Sequence, residues 1–215
     1  LDKRFVLSVD TETALDADKE AALRKAGEPL KGDLSARLCL IQIGYPQQRR
    51  CGGRVRIDPA RPGRNYLIDV LALTAEAEQR SAMTGTTINP LQPLAELLAG
   101  GRHVLLIQNA AFERKQFGKY GLELSGVEDT LCMARLFRPD LPAVNLAALG
   151  LELCGIGVDK EQQKSVWSAR PLSPEQTRYA LLDTEITFQV WWKLAGYFAR
   201  AECETDPVVQ SGDPA

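Results

Sequence analysis

Four carboxylates stand where a packed interior is expected. Asp10 and Glu12 follow the apolar, partly β-branched run Phe5-Val-Leu-Ser-Val9, which reads as a buried strand. Residues two apart on a strand share a face, so these two acids lie side by side. Asp183 falls on a helical stripe with Tyr179, Ile186, Val190 and Leu194. That stripe is otherwise apolar, so its spacing predicts burial. Glu113 shares a helical face with Phe117 and Tyr120. Each acid has an ordinary explanation when taken alone: a solvated strand end, an arginine partner or backbone cap, or first-turn stabilisation by the helix dipole. Together they predict that three segments bring carboxylates to one side of a sheet. Like charges gather in this way only around cations or protons. All-oxygen ligation selects hard ions, Mg2+ or Mn2+. Two such ions about 3.5–4 Å apart form the clamp used for in-line attack on phosphodiesters.

The elements that must position these groups follow from the hydrophobic pattern. Strands are expected over 5–9 and 37–43, with further strand pieces at Val55 to Ile57 and Tyr66 to Val70, and again over 103–108. Helical spacing covers Leu91 to Leu98, stopped by Gly100-Gly101, as glycine does at a helix end. Helices are also expected from Asn109, as N-cap, to about Tyr120, over 129–137 and over 145–154. Ser173-Pro174-Glu175-Gln176 combines a capping box with proline in the first turn and predicts a helix running to about Phe198. A surface excursion over 13–36 is expected to hold a helix around Asp18 to Lys25, and the polar tail from Glu204 to fray. Strands first, then alternating strand and helix, predict a mixed sheet covered by helices.

Composition narrows the chemistry. Lys and Arg number 26 against 28 Asp and Glu, a net charge of -2, so binding a polyanion requires a local basic patch or metal ions. The densest such patch is Arg49, Arg50, Arg54, Arg56, Arg61 and Arg64, with Asp58 its only acid, six charges less one, or +5. It reads either as a track for a phosphodiester backbone or as a solvated hairpin. Five scattered cysteines without a CxxC pair argue against a disulfide framework or a zinc site, and favour the cytoplasm. The single histidine, His103, excludes any two-histidine mechanism. No apolar run approaches the roughly 20 residues of a membrane span, so no membrane partner is expected. The first residue is not Met, which admits other domains of a longer polypeptide.

At the acidic motifs the chain resembles the DEDD superfamily of 3'-5' exonucleases, in the Tyr-containing branch with RNase D and the proofreading domain of DNA polymerase I. Asp10-Thr11-Glu12 is similar to the first motif, Asn109-Ala-Ala-Phe-Glu113 to the second and Tyr179-Ala-Leu-Leu-Asp183 to the third. Arg37-Leu-Cys-Leu-Ile-Gln42-Ile43, Glu128-Asp129-Thr130, Asn145-Leu146 and the run from Asp159 to Leu172 add to the likeness. The resemblance implies an α/β, RNase H-like mixed five-stranded sheet flanked by helices. The domain would occupy 1–203, with insertions at about 13–36 and 46–65, and a flexible tail 204–215. It further implies hydrolysis of single-stranded nucleic acid from a free 3' end to nucleoside 5'-monophosphates, with two divalent cations, Mg2+ or Mn2+.

By that resemblance Asp10, Glu12 and Asp183 would bind the first ion. Asp10 would also touch the second, supported by Glu113. Tyr179 would orient the attacking water, since a phenol with an ordinary pKa near 10 is a poor base at neutral pH. Candidate substrate contacts are Thr11 and Asn109 within the motifs, Gln42 and Gln108 at strand ends, and Lys160, Gln163 and Trp167 ahead of the last helix. Glu113 is the one departure, because the second motif usually ends in Asp. Its extra methylene, roughly 1.5 Å, is large against the 1 Å misplacements that can cost about 100-fold. The alternative function is therefore a weakened nuclease fold that binds nucleic acid or a protein partner without turnover.

Overall fold

The computed structural model describes residues 4–15, 36–51, 54–61, 63–158 and 165–205, together with 19, 22, 25, 26 and 162. The helix expected around Asp18 to Lys25, the candidates Lys160 and Gln163, and residues 206–215 of the tail lie outside most or all of these.

Five strands form one mixed sheet. In chain order they are β1 (Phe5–Ala14), β2 (Arg37–Tyr45), β5 (Arg64–Asp69), β6 (His103–Ile107) and β7 (Val127–Asp129), while β3 (Gln48–Cys51) and β4 (Arg54–Ile57) make a separate hairpin. The sheet order is β5-β2-β1-β6-β7. β1 and β2 are antiparallel, as are β2 and β5, whereas β6 runs parallel to β1 and β7 parallel to β6. The helices are α1 (Val70–Thr84), α2 (Ala95–Ala99), α3 (Ala110–Gly118), α4 (Thr130–Phe137), α5 (Leu146–Leu149) and α6 (Pro174–Thr205). This is the RNase H-like arrangement. The helix α1 and the three-residue strand β7 were not anticipated; the expected strand over Tyr66 to Val70 ends at Asp69, whose carboxylate caps α1 by accepting from Ala72 N at 3.2 Å.

Strand alternation divides the interior. On one face Leu7, Val9, Ile41, Ile43, Leu105 and Ile107 pack with Val70, Leu98 and Phe117. On the other, Val6, Val104 and Leu106 pack with Phe188 and Trp191 of α6. The α6 stripe behaves as its spacing predicts: Tyr179, Asp183, Ile186, Val190 and Leu194 are all buried. Burying Ile186, Val190 and Leu194 contributes on the order of 2 kcal/mol each. That is enough to offset the several kcal/mol that one inward carboxylate costs. Close approach of α6 depends on Gly44, where a Cβ would collide with Ser8 Oγ and lie 3.0 Å from Thr184 Cβ.

Candidate metal centre and active site

Asp10 and Glu12 project from β1 toward α6, and Asp183 meets them from that helix. One carboxylate oxygen from each lies within 4.8 Å of the others. At such spacing each pair of like charges repels by between about 1 and about 3 kcal/mol, depending on solvent access. A hard divalent cation removes that cost. The donor set is all oxygen, as Mg2+ or Mn2+ requires. Gln42 supplies a second indication. It is the cross-strand partner of Asp10 and fully buried, and neither atom of its amide has a hydrogen-bond partner among the described residues. A buried amide left unpaired costs about 1–3 kcal/mol, and such a group beside a carboxylate triad fits a site that takes polar guests.

Tyr179 lies one helical turn before Asp183 and bonds to it. Burial, then the charges of Asp183, Glu12 and Asp10, push its phenol far above the ordinary value. The group therefore stays protonated at neutral pH and acts as a hydrogen-bond donor. Its ring packs against Trp167, 6.0 Å between centroids. Trp167 is itself buried, so it supports Tyr179 from behind and offers no exposed ring to a nucleotide.

The segment carrying Trp167 is tied down twice. Gln176 donates to Ser165 Oγ at 2.8 Å and to the Val166 carbonyl at 3.1 Å. The same residue completes the expected capping box: Ser173 Oγ accepts from Gln176 N, and Gln176 Oε1 accepts from Ser173 N. Arg170 grips Asp69 through two bonds of 2.6 and 2.8 Å and also donates to the carbonyls of Cys39 and Trp167. That pairing holds the Asp69 carboxyl below its usual range. No sequence signal marked Asp69 as the other end of this clamp.

Glu113 does not join the triad. It is buried, and its Oε2 accepts a 2.7 Å bond from the Thr11 hydroxyl. Thr11 alternates with Asp10 and Glu12, so it points to the other face of β1. Burial, then the nearby charge of Asp10, raise the Glu113 carboxyl well above the carboxylate range, against the opposing Thr11 bond. Thr11 is thus engaged within the protein. Gln108 is likewise engaged: its Nε2 donates to the Val144 carbonyl at 2.8 Å and its Oε1 accepts from Thr130 at 2.6 Å.

Asn109 occupies the position before α3, but its side chain makes no capping bond. It has φ 64, a left-handed conformation that asparagine tolerates better than most residues. The cap comes from Asp129, which accepts from Asn109 N at 3.0 Å and Ala110 N at 2.9 Å, and from Leu131 N of α4 at 2.9 Å. One carboxylate therefore serves two helix starts, and the Asn109 side chain is exposed.

The family model for a 3'-5' exonuclease matches residues 31–196. No curated protein sequence matches the chain. Among solved structures it is similar to Escherichia coli RNase D, an exoribonuclease involved in structured RNA processing, at TM-score 0.59 and 19% identity, covering 93% of this chain and 41% of that one. Brucella melitensis NrnC superposes at TM-score 0.58 and 20% identity, over 93% of this chain and 76% of that one. The catalytic core of RRP6 from Trypanosoma brucei gives 0.57 and 17%, over 94% and 42%. NrnC has been solved with bound Mg2+ and bound to pGG. With the carboxylate triad, the tyrosine one turn before Asp183 and the sheet order all in place, the chain belongs to the 3'-5' exonuclease family.

Proposed function

We propose that this protein hydrolyses single-stranded nucleic acid from a free 3' end, releasing nucleoside 5'-monophosphates. The observation that carries the reading is the convergence of Asp10, Glu12 and Asp183 within 4.8 Å beneath the protonated Tyr179. Asp10, Glu12 and Asp183 would hold one divalent cation, Mg2+ or Mn2+, and Asp10 would be shared with a second, with Glu113 behind it. Ions there would polarise a phosphoryl oxygen and lower the pKa of water. The chain's own groups supply orientation. The Tyr179 hydroxyl, whose one proton goes to Asp183, would accept from the attacking water and so orient it. Trp167 keeps that ring from swinging away. The Gln42 amide, otherwise without a partner, offers a donor and an acceptor beside Asp10. The proximity of such a set to a bound phosphate is worth several kcal/mol of barrier. Binding of nucleic acid agrees with NrnC bound to pGG.

The test is degradation of 5'-labelled single-stranded DNA and RNA with Mg2+, Mn2+ or EDTA. Laddering from the 3' end is expected with metal and not with EDTA. Asp183→Asn is expected to reduce it by more than about 100-fold, beyond the effect of disturbing an outer-shell partner. Intact substrate of both kinds under both metals overturns the reading. Tight binding without turnover would instead favour the weakened module that the absence of Glu113 from the triad permits.

A further inference from the structure

The geometry points to the β3–β4 hairpin as a phosphate-binding track for the part of the strand upstream of the 3' end, so that the protein favours longer single strands over dinucleotides. This rests on the exonuclease reading above.

The hairpin is mounted firmly. The Gln48 side chain takes the place of a neighbouring strand: its Oε1 accepts from Val6 N at 2.8 Å and its Nε2 donates to the Val6 carbonyl at 2.6 Å. Val55 is buried, and Ile57 packs on the cluster of Val6, Phe188 and Trp191. Gln189 of α6 donates to the Pro59 carbonyl at 3.2 Å.

The charges it presents are uncompensated. Arg49 and Arg56 are directly opposed across the two strands, and both are exposed. Like charges in that relation are destabilising. The hairpin's own acid, Asp58, is engaged with Arg61 at 3.2 Å. Neither Arg49 nor Arg56 has an ion pair or side-chain hydrogen bond among the described residues, and the same holds for exposed Arg64 at the start of β5. A phosphodiester backbone supplies the missing negative charge without requiring any base identity.

Position selects which phosphates. Val6, Ser8 and Asp10 share one face of β1, so the hairpin's mount lies about 13 Å from Asp10 at about 3.3 Å per residue. A hollow lined by Ser8, Gly44, Gly63, Asn65, Thr184 and one acid, Glu185, lies between them. A single strand extends farther per nucleotide than the roughly 3.4 Å of a duplex strand, so more than one and at most about four steps separate the hairpin from a 3'-terminal phosphate at the carboxylates. A dinucleotide held there falls short.

The experiment compares the wild type with Arg49→Gln/Arg56→Gln on two substrates, a 5'-phosphorylated dinucleotide and a single strand of about 12 nucleotides with the same 3' end. The double variant is expected to lose about 10-fold in kcat/KM on the long strand and nothing on the dinucleotide. Its salt dependence of log kcat/KM should be shallower by about 1.4, or roughly 0.7 per lost phosphate contact. Equal losses on both substrates, or none on either, overturn the inference. Fluorescence anisotropy of the long strand in EDTA reads the hairpin without hydrolysis. If wild type and variant bind alike there, the track is wrong and the exonuclease reading stands. If the variant binds more weakly but the wild type degrades neither substrate with Mg2+ or Mn2+, the exonuclease reading fails and the track stands.

Discussion

The helix that delivers Asp183 and the helix that carries Glu113 begin by different means. α6 is capped from within: Ser173 and Gln176 exchange bonds three residues apart, and its stripe of Ile186, Val190 and Leu194 then packs on Ala134 and Leu149 of neighbouring helices, while Phe188 and Trp191 meet the sheet. α3 has no such start. Asn109 turns left-handed, and the cap arrives from Asp129, twenty residues later and on β7. Glu113 is then fixed by Thr11, on a strand about a hundred residues earlier. The acid on the self-capped helix joins two others within 4.8 Å. The acid on the remotely capped helix stays outside that group, and burial, then the Asp10 charge, raise its carboxyl well above the ordinary range. Local sequence built one half of the site, and tertiary contacts built the other.

The contrast can be broken most forcefully at Asp129. Asp129→Ala removes three charge-assisted bonds to backbone amides, and an unfolding loss of about 2–4 kcal/mol is expected in urea titration. Cleavage should fall with it, because α3 and α4 lose their common anchor. Ser173→Ala should cost only about 1 kcal/mol and leave cleavage unchanged, since the α6 stripe remains packed. A Ser173→Ala loss as large as that of Asp129→Ala would mean that both helices depend on distant partners alike.

The finest measurement concerns Glu113. Unfolded, this carboxyl releases its proton above about pH 4.5, whereas the folded protein holds it to higher pH, chiefly because the group is buried. Its contribution to stability is therefore complete below that pH and declines as pH rises toward the folded value. Glu113→Gln keeps a neutral side chain at every pH. Its metal-free Tm between about pH 5 and 8 should run flatter than the wild type's. Parallel curves would show that Glu113 ionises in the fold as it does in water.

Legibility in the sequence follows the same division. The period of two on β1 and the 3.6-residue period on α6 were enough to turn Asp10, Glu12 and Asp183 inward, because alternation and helical phase are short-range properties. The mixed five-stranded sheet flanked by helices was readable for the same reason, with help from the family resemblance. What escaped depends on contacts across the fold. β7 has three residues and exists through its pairing with β6. α1 begins at Val70, capped by Asp69, within a stretch that reads equally well as strand. Nothing near Gln48 announces that its amide stands in for a strand beside Val6. Trp167, weighed as a substrate contact, is buried behind Tyr179, and Asn109, expected to cap α3 with its side chain, leaves that task to Asp129.

Gly44 carries a consequence for the dimensions of the reaction chamber. Thr184 stands next to Asp183 in sequence, and its Cβ lies only 3.0 Å from where a Cβ on residue 44 would sit, so the gap between α6 and the sheet is set by an atom that is not there. A single added methyl would act as a shim. It would lift the helix, widen the mouth between Asp183 and Asp10, and detune the grip on any ion without altering one ligand.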